Sequence, residues 1–514
     1  MTTTRETLFA IASSWFNRFV TIFLGLALMP LLFSNLGREE LGAWILLAQT
    51  SSILGVLDFG FAATLTRRIA FAKGMSGGAP NVPLNDESTR LIANLVTTGK
   101  RVYQAIAVST FLISFIGGSL YLSQIEVKDV SLSTLLFAWG VLCLSQAITI
   151  LSLIWTSLMQ GIGYVGWDAL INSLATSITI IAQIICVLFG GGIVSLAVVV
   201  SLGAVLQRVL LVGIAKKRRP QIFQFSGSWD SSLLRSMLTI SLRSWVTGLS
   251  WVLVLNSDPI FIAKILGTDA IPVYRAAHLI FYNMTLMSVT AGTASAVFVS
   301  QLWQAGKRDD ARRIVLRNLR LGLGLMASGS AFTIMLDHRL FDVWLGAGNF
   351  IGATILWILF TLFFLETQCQ IVSAGSRATE DEAFALSFCA AAVLKIGCAI
   401  VLGYYFGLVG IAISTLIAQG LTNYWYMVYR GLTRLEISFH SHVCTVLAPT
   451  VLLFCGVMFA VRLVIVSNVF SGIPELIATA AVSGVLLLGF TWTFIAEPNQ
   501  RAQVSGWLRK LRLS

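Results

Sequence analysis

The length of its apolar runs constrains this chain more than any other feature. Stretches such as FVTIFLGLALMPLLF (19–33) recur from one end to the other, in blocks of about 20 residues or more, long enough as helices to cross the ~30 Å hydrocarbon core of a bilayer. Alternating ten-residue segments, the mark of a membrane barrel, are not seen. Across 514 residues, 56% are hydrophobic and only 11% charged, and the mean hydropathy is +0.84; so few charges cannot coat a soluble globule of this size. The expectation is an all-α polytopic membrane protein. Its spans are read at 8–34, 41–63, 102–122, 131–158, 167–189, 193–214, 236–262, 271–300, 319–336, 351–373, 383–405, 408–429, 443–466 and 475–496, about fourteen in all. MTTTRETLF opens a first helix with no small-residue cleavage site, and reads as retained. The seven cysteines stand singly, mostly in apolar runs, and read as packing residues.

Cytoplasmic segments are enriched in Lys and Arg. With the N-terminus inside, most of the 35 basic residues fall on one side, including Arg67, Arg68, Lys73, the run KKRRP at 216–220, Arg312, Arg313 and Arg434. Both termini are then cytoplasmic. The net charge of +12 is accounted for by these segments, whose default partners are anionic inner-leaflet lipids rather than nucleic acid.

The chain also resembles itself. LGREELGAW (36–44) aligns with LGTDAIPVY (266–274), each just after a proline-bearing helix end, at Pro30 and Pro259. LMQG (158–161) and VSAG (372–375) close the fourth and tenth spans alike. Matches in the same order indicate duplication of a six-helix unit, and an even number of spans gives the copies one orientation, a parallel repeat. The organisation expected is an N-lobe at 1–220, a C-lobe at 221–440, and a C-terminal helix pair with its tail at 441–514.

Two lobes enclose a cavity, where intramembrane charge becomes tolerable. Arg18 lies roughly 15 Å into its span at about 1.5 Å per residue, beside Asn17; Lys395 is at similar depth, and Arg243 lies in the inner half of the seventh span. These four are the candidate substrate-binding residues, snorkelling being the alternative for Arg18. Asp58, Glu366, Asp258, Arg275 and His278 are the candidate ion-coupling or gating residues. For each a structural role stands beside the functional one: Asp58 pairing with Arg67 or Arg68, Asp258 with Arg275, Glu366 neutralising Arg243 or Lys395, and His278 hydrogen-bonded in place. The stretch GMSGGAPNVPLNDES (74–88) reads as a flexible linker.

Residues 17–70 bear a more specific pattern: Arg18 in the first helix, then Pro30, then Leu36, Gly37, Gly42 and Trp44, with Leu57, Asp58, Phe59 and Gly60 closing the second span. This stretch resembles the N-terminal region of bacterial polysaccharide flippases of the multidrug/oligosaccharidyl-lipid/polysaccharide exporter superfamily; beyond it the resemblance rests on topology, duplication and the terminal helix pair. The resemblance implies a two-lobed transporter moving an undecaprenyl-pyrophosphate-linked oligosaccharide to the outer leaflet of the bacterial cytoplasmic membrane, coupled to a proton or sodium ion, with a polysaccharide polymerase complex as a further partner. A cationic lumen matches such an anionic head. The linker at 74–88 has no counterpart in that pattern, and no motif identifies the sugar.

The alternatives are a peptidoglycan-precursor (lipid II) flippase, a multidrug exporter of the same superfamily, and, in a different class, a membrane glycosyltransferase or polysaccharide polymerase. There is no Walker A motif, and no HExxH, GxSxG or paired-carboxylate motif stands out, so no enzyme, metal or cofactor is expected.

Overall fold

The computed structural model describes residues 2–76, 83–127, 129–224, 227–304, 306–379, 384–467 and 469–495. Within its helices the side chains of residues 2–15, 17, 18, 56, 63, 232, 233, 236, 238–240, 243, 244, 294, 297, 298, 300, 301 and 304 lie outside that description. The first part of the chain forms α1 (Thr2–Asn35), α2 (Arg38–Leu54), α3 (Phe61–Gly74), α4 (Asp86–Leu122), α5 (Leu132–Ile162), α6 (Val165–Leu188), α7 (Ile193–Arg218), α8 (Pro220–Gln224), α9 (Ser231–Asn256) and α10 (Asp258–Ile265). Then follow α11 (Ile271–Gln304), α12 (Arg308–Leu336), α13 (His338–Leu345), α14 (Ala353–Arg377), α15 (Ala385–Gln419), α16 (Trp425–Arg434), α17 (Phe439–His442), α18 (Ala448–Ser467) and α19 (Ile473–Phe494). Among the described residues there is no β-strand. Nine helices there are long and apolar enough to cross a membrane, or ten with one bent pair taken as a single span. Large apolar side chains such as Phe19, Phe23, Ile113, Leu188 and Leu452 stand exposed along them, the surface a lipid solvent requires and water disfavours. The chain is a multi-pass membrane protein.

Contacts gather the chain into two compact units, Met1–Pro272 with Ala392–Ile411, and Val273–Ala391 with Ala412–Ser514. This is a division by packing; the repeat-based lobes at 1–220 and 221–440 stay an expectation.

In the first unit the helix ends follow from their capping residues. Asn85 accepts the Ser88 N–H at 2.7 Å to start α4, Ser131 accepts the Thr134 N–H at 3.2 Å to start α5, and Gly163, at φ 100°, ends α5. Packing between α4 and α5 turns on Trp139, 1% exposed, whose indole N–H donates to the Ser114 carbonyl at 3.1 Å. Its ring takes the space beside Gly118, where a Cβ would lie 2.3 Å away. Small residues at a helix contact let backbones approach, the main source of adhesion between helices in lipid.

Two spans expected to be continuous are broken here. The 41–63 span stops at a short 3-10 turn, Gly55–Asp58, after which Phe59 and Gly60 take positive φ and α3 begins. The 236–262 span bends by 44° between α9 and α10. Pro259 supplies the physical reason: it has no N–H to give to the preceding turn, and its ring crowds the carbonyl four residues back. Conversely, α15 contains a reversal of the chain. Gly407 sits at φ 59°, ψ −136°, and a Cβ on Gly410 would lie 1.9 Å from the Leu402 carbonyl oxygen. Spans 383–405 and 408–429 are therefore separate strokes of the chain, as the sequence indicates.

The two loops that resemble each other in sequence, 36–44 and 266–274, meet inside this unit. A Cβ on Gly42 would fall 1.7 Å from the Thr268 carbonyl oxygen, so the turn after α10 rests directly on the backbone of α2.

In the second unit α12 is the central helix, packed by α14, α18 and α19. Phe490 of α19 lies against Gly324, Ser328 donates to the Ser483 carbonyl at 3.2 Å, and Phe360 of α14 stacks on Phe454 of α18 at 4.7 Å. Arg320 donates to the carbonyls of Thr445 at 2.7 Å and Phe494 at 3.0 Å, clamping the terminal helix pair to α12. Arg308 and Arg312 both pair with Glu436, tying the segment after α16 to the start of α12.

Candidate functional site

The charges buried within the apolar helices are the chemically distinctive groups of this protein. In the first unit the bend at Ser257 presents Asp258 in the first turn of α10, and the reversal at Gly407 brings the Ile411 carbonyl alongside. Lys395 meets both: its Nζ donates to Asp258 Oδ1 at 2.5 Å and to the Ile411 carbonyl oxygen at 3.2 Å. Both side chains are buried, at 1% and 3% exposure, and the Phe261 ring centroid lies 6.0 Å from Nζ. An ammonium and a carboxylate at this distance neutralise each other, which makes their burial tolerable. An anionic substrate reaching for Lys395 has to compete with Asp258. The described pair on Asp258 is with Lys395, whereas the sequence pointed to Arg275.

In the second unit Glu366 of α14 is 2% exposed and caged by side-chain amides. Gln370 Nε2 donates to Oε1 at 2.7 Å, Gln419 Nε2 donates to Oε2 at 3.0 Å, and Asn423 Nδ2 donates to Gln419 Oε1 at 2.5 Å. Gly420–Tyr424 is a π-helical turn, an irregularity common at functional sites. The sequence reading selected Glu366 but missed Gln370, Gln419 and Asn423. Their signal was available: two polar pairs, 366/370 and 419/423, each one helical turn apart within apolar runs.

Arg275 and His278 also lie in this unit. Arg275 Nη1 is 2.9 Å from His278 Nδ1; a guanidinium only donates, so Nδ1 accepts and the ring is neutral in this arrangement. The imidazole is 2% exposed, packed edge-on to Phe363 at 5.0 Å and alongside Tyr282 at 5.8 Å.

Asp58 has a local task. Its Oδ1 accepts the Gly60 N–H at 3.0 Å, with the Ala62 N–H 3.4 Å from Oδ2, so it caps the new helix after the break in the second span. Gly60 is forced by a positive φ of 67° and by the Ser241 carbonyl, 2.7 Å from where a Cβ would be. Asn17 and Arg18 on α1 and Arg243 on α9 have side chains outside the described residues.

No protein-family model matches the chain, and no curated protein matches its sequence. Solved structures do match its fold. The lipid II flippase MurJ in an inward closed conformation aligns with a TM-score of 0.65 at 14% identity, over 94% of this chain and 98% of that one. An inward-facing multidrug resistance MATE family transporter of the MOP superfamily aligns at 0.68 and 15% identity, over 81% of this chain and 96% of that one. The MATE multidrug transporter DinF-BH aligns at 0.58 and 15% identity, over 84% and 97%. The fold is that of the MOP transporters.

Proposed function

We propose that this protein is a flippase that carries an undecaprenyl-pyrophosphate-linked oligosaccharide from the inner to the outer leaflet of the bacterial cytoplasmic membrane for surface polysaccharide biosynthesis. It works by alternating access coupled to a proton or sodium ion. The observation that carries this reading is coverage: the lipid II flippase takes in 94% of this chain, whereas the two multidrug transporters leave a larger share unmatched at 81% and 84%. The N-terminal pattern around Arg18 and Asp58 supports the polysaccharide branch, and a net charge of +12 suits an anionic pyrophosphate head. Arg18, Arg243, Asn17 and Lys395 are assigned to the substrate; Asp58, Asp258, Glu366, Arg275 and His278 are assigned to coupling or gating.

Deletion of the gene tests the reading. The expected result is lipid-linked oligosaccharide retained on the cytoplasmic side and no surface glycan, with peptidoglycan synthesis intact. Intact glycan export with raised sensitivity to cationic dyes favours the multidrug reading, which the likeness to the MATE fold supports. Arrested peptidoglycan synthesis favours the lipid II precursor as substrate.

A further inference from the structure

The first unit holds another buried acid, one that the sequence reading passed over. Asp168 stands in the first turn of α6, 3% exposed. Gln160, at the end of α5, donates its Nε2 to Asp168 Oδ2 at 2.9 Å, and Asn172 Nδ2, one turn further along α6, lies 3.4 Å from the same oxygen. Asn172 Oδ1 in turn accepts from Gln207 Nε2 of α7 at 2.6 Å. Asp168 Oδ1, by contrast, is buried with no hydrogen-bond partner among the described residues.

This one-sided arrangement differs from those of the other buried acids among the described residues, of which Glu475 pairs with Arg339. Glu366 receives an amide N–H on each oxygen, and Asp258 faces an ammonium. An ionised carboxylate accepts on both oxygens, whereas a carboxylic acid accepts on its carbonyl oxygen and carries its hydroxyl on the other. The pattern at Asp168 is the second kind. Energetics point the same way, because an unpaired charge within a membrane helix is costly and a neutral acid is far less so. The opposing effect is the helix dipole, which favours a first-turn carboxylate by about 0.3–1 kcal/mol. No backbone N–H is among the donors described at this carboxyl, so direct capping does not reinforce that effect.

The neighbouring charges leave the acid alone. Helix α6 packs on α1, α5 and α7. Helix α5 carries no charged residue, and the other titratable groups are Cys143 on α5, Cys186 on α6 and Tyr164 just before it. Helix α7 brings Arg208, Lys216, Lys217 and Arg218, of which Arg218 is stacked over Trp167 at 4.6 Å; none of them forms a described ion pair with Asp168. Helix α1 brings Arg5, Glu6 and Arg18, whose side chains lie outside the described residues.

We propose that Asp168 is a proton-binding site, holding a proton on Oδ1 in the conformation described here. Loss of the proton creates a carboxylate that recruits donors to both oxygens. The amides of Gln160, Asn172 and Gln207 then rearrange, and with them the contact of α5, α6 and α7. That this exchange is coupled to transport rests on the flippase reading; proton binding itself does not.

The test is infrared difference spectroscopy of the full-length protein in lipid vesicles, with aspartate carrying a 13C carboxyl. The expected result at neutral pH is an isotope-shifted carboxylic-acid C=O band that is lost in Asp168→Asn and kept in Asp258→Asn. Asp168→Glu, with glutamate unlabelled, moves the band back to its unshifted position and serves if the Asn variant fails to fold. A band unchanged in both Asp168 variants overturns the proposal, as does a wild-type band abolished by sodium at constant pH, which assigns Oδ1 to a metal cation. None of these readouts needs a substrate. Failure of the flippase reading therefore appears in the export assay and leaves the band in place.

Discussion

Two opposite charges 2.5 Å apart and shut away from solvent form a neutral unit whose halves do not survive separately. Lys395→Met takes the ammonium away from a buried carboxylate, and is expected to destabilise the protein by about 3–5 kcal/mol. Adding Asp258→Leu to that variant removes the carboxylate as well and restores most of the loss. Denaturation of the two variants in detergent checks this, and equal stability of wild type and Lys395→Met contradicts a stabilising role for the pair. Arg18 poses the converse case, a cation proposed to wait for a substrate. A guanidinium holds phosphate oxygens through two parallel hydrogen bonds, which an ammonium does not reproduce. Arg18→Ala should abolish export and Arg18→Lys retain part of it, with membrane insertion measured alongside. Wild-type export by a well-inserted Arg18→Ala, or an Arg18→Cys thiol inaccessible to aqueous reagents from either side, makes snorkelling the better account.

Helices in this protein are broken where the backbone has a reason to break. Pro259 starts α10 with a 44° bend, Asp58 caps the restart after Phe59 and Gly60, and Gly407 turns the chain between two apolar strokes. Two of these breaks carry a polar group to a place a straight span denies it: Asp258 to Lys395, and the Ile411 carbonyl to the same ammonium. Close approach is the complementary device. Any side chain at Gly42 meets the Thr268 carbonyl, 1.7 Å from its Cβ, and backbone cannot rotate aside as a side chain does. Gly42→Val is therefore expected to cost about 1–3 kcal/mol or more in stability. Gly25→Ala, on α1 with nothing within 4 Å, is expected to be neutral or slightly stabilising. Equal melting temperatures for the two variants contradict this packing.

For the whole molecule the testable quantity is the threading of the chain. Basic segments resist translocation, and those of this protein are further anchored by stacking: Lys100 over Trp155 at 4.9 Å, Arg101 over Trp229 at 5.7 Å, and Arg308 over Trp303 at 5.1 Å. On the expectation of about fourteen spans with the basic segments inside, a periplasmic phosphatase reporter fused after residue 514 or inserted at 216–220 should be inactive, and a cytoplasmic reporter active at the same positions. Phosphatase activity at either position refutes the threading. Residues 74–88, read as a linker, fall partly outside the described positions. The described part is ordered by the Ser76 hydroxyl, which accepts the Asn85 N–H at 3.0 Å and donates to Ser88 Oγ at 2.7 Å.

The sequence by itself determined what is local. Apolar length made the helices, Pro259 stood out as a proline near a helix end, the gap between the 383–405 and 408–429 runs marked a turn, and the intramembrane positions of Asp258, Glu366 and Lys395 were legible as anomalies in apolar runs. It did not determine which of these groups meet. Lys395 and Asp258 are 137 residues apart, and Gln419 and Glu366 are 53 apart, distances over which no periodicity carries information. Asp168 was overlooked because a carboxyl near the start of a span looks like an interfacial residue until its burial is known. The physical reason is the solvent: lipid tails are as apolar as leucine, so hydrophobicity drives each helix into the membrane without ordering helices side by side. Lateral order comes from small-residue contacts and from the pairing of a few buried polar groups, and those are properties of the tertiary structure alone.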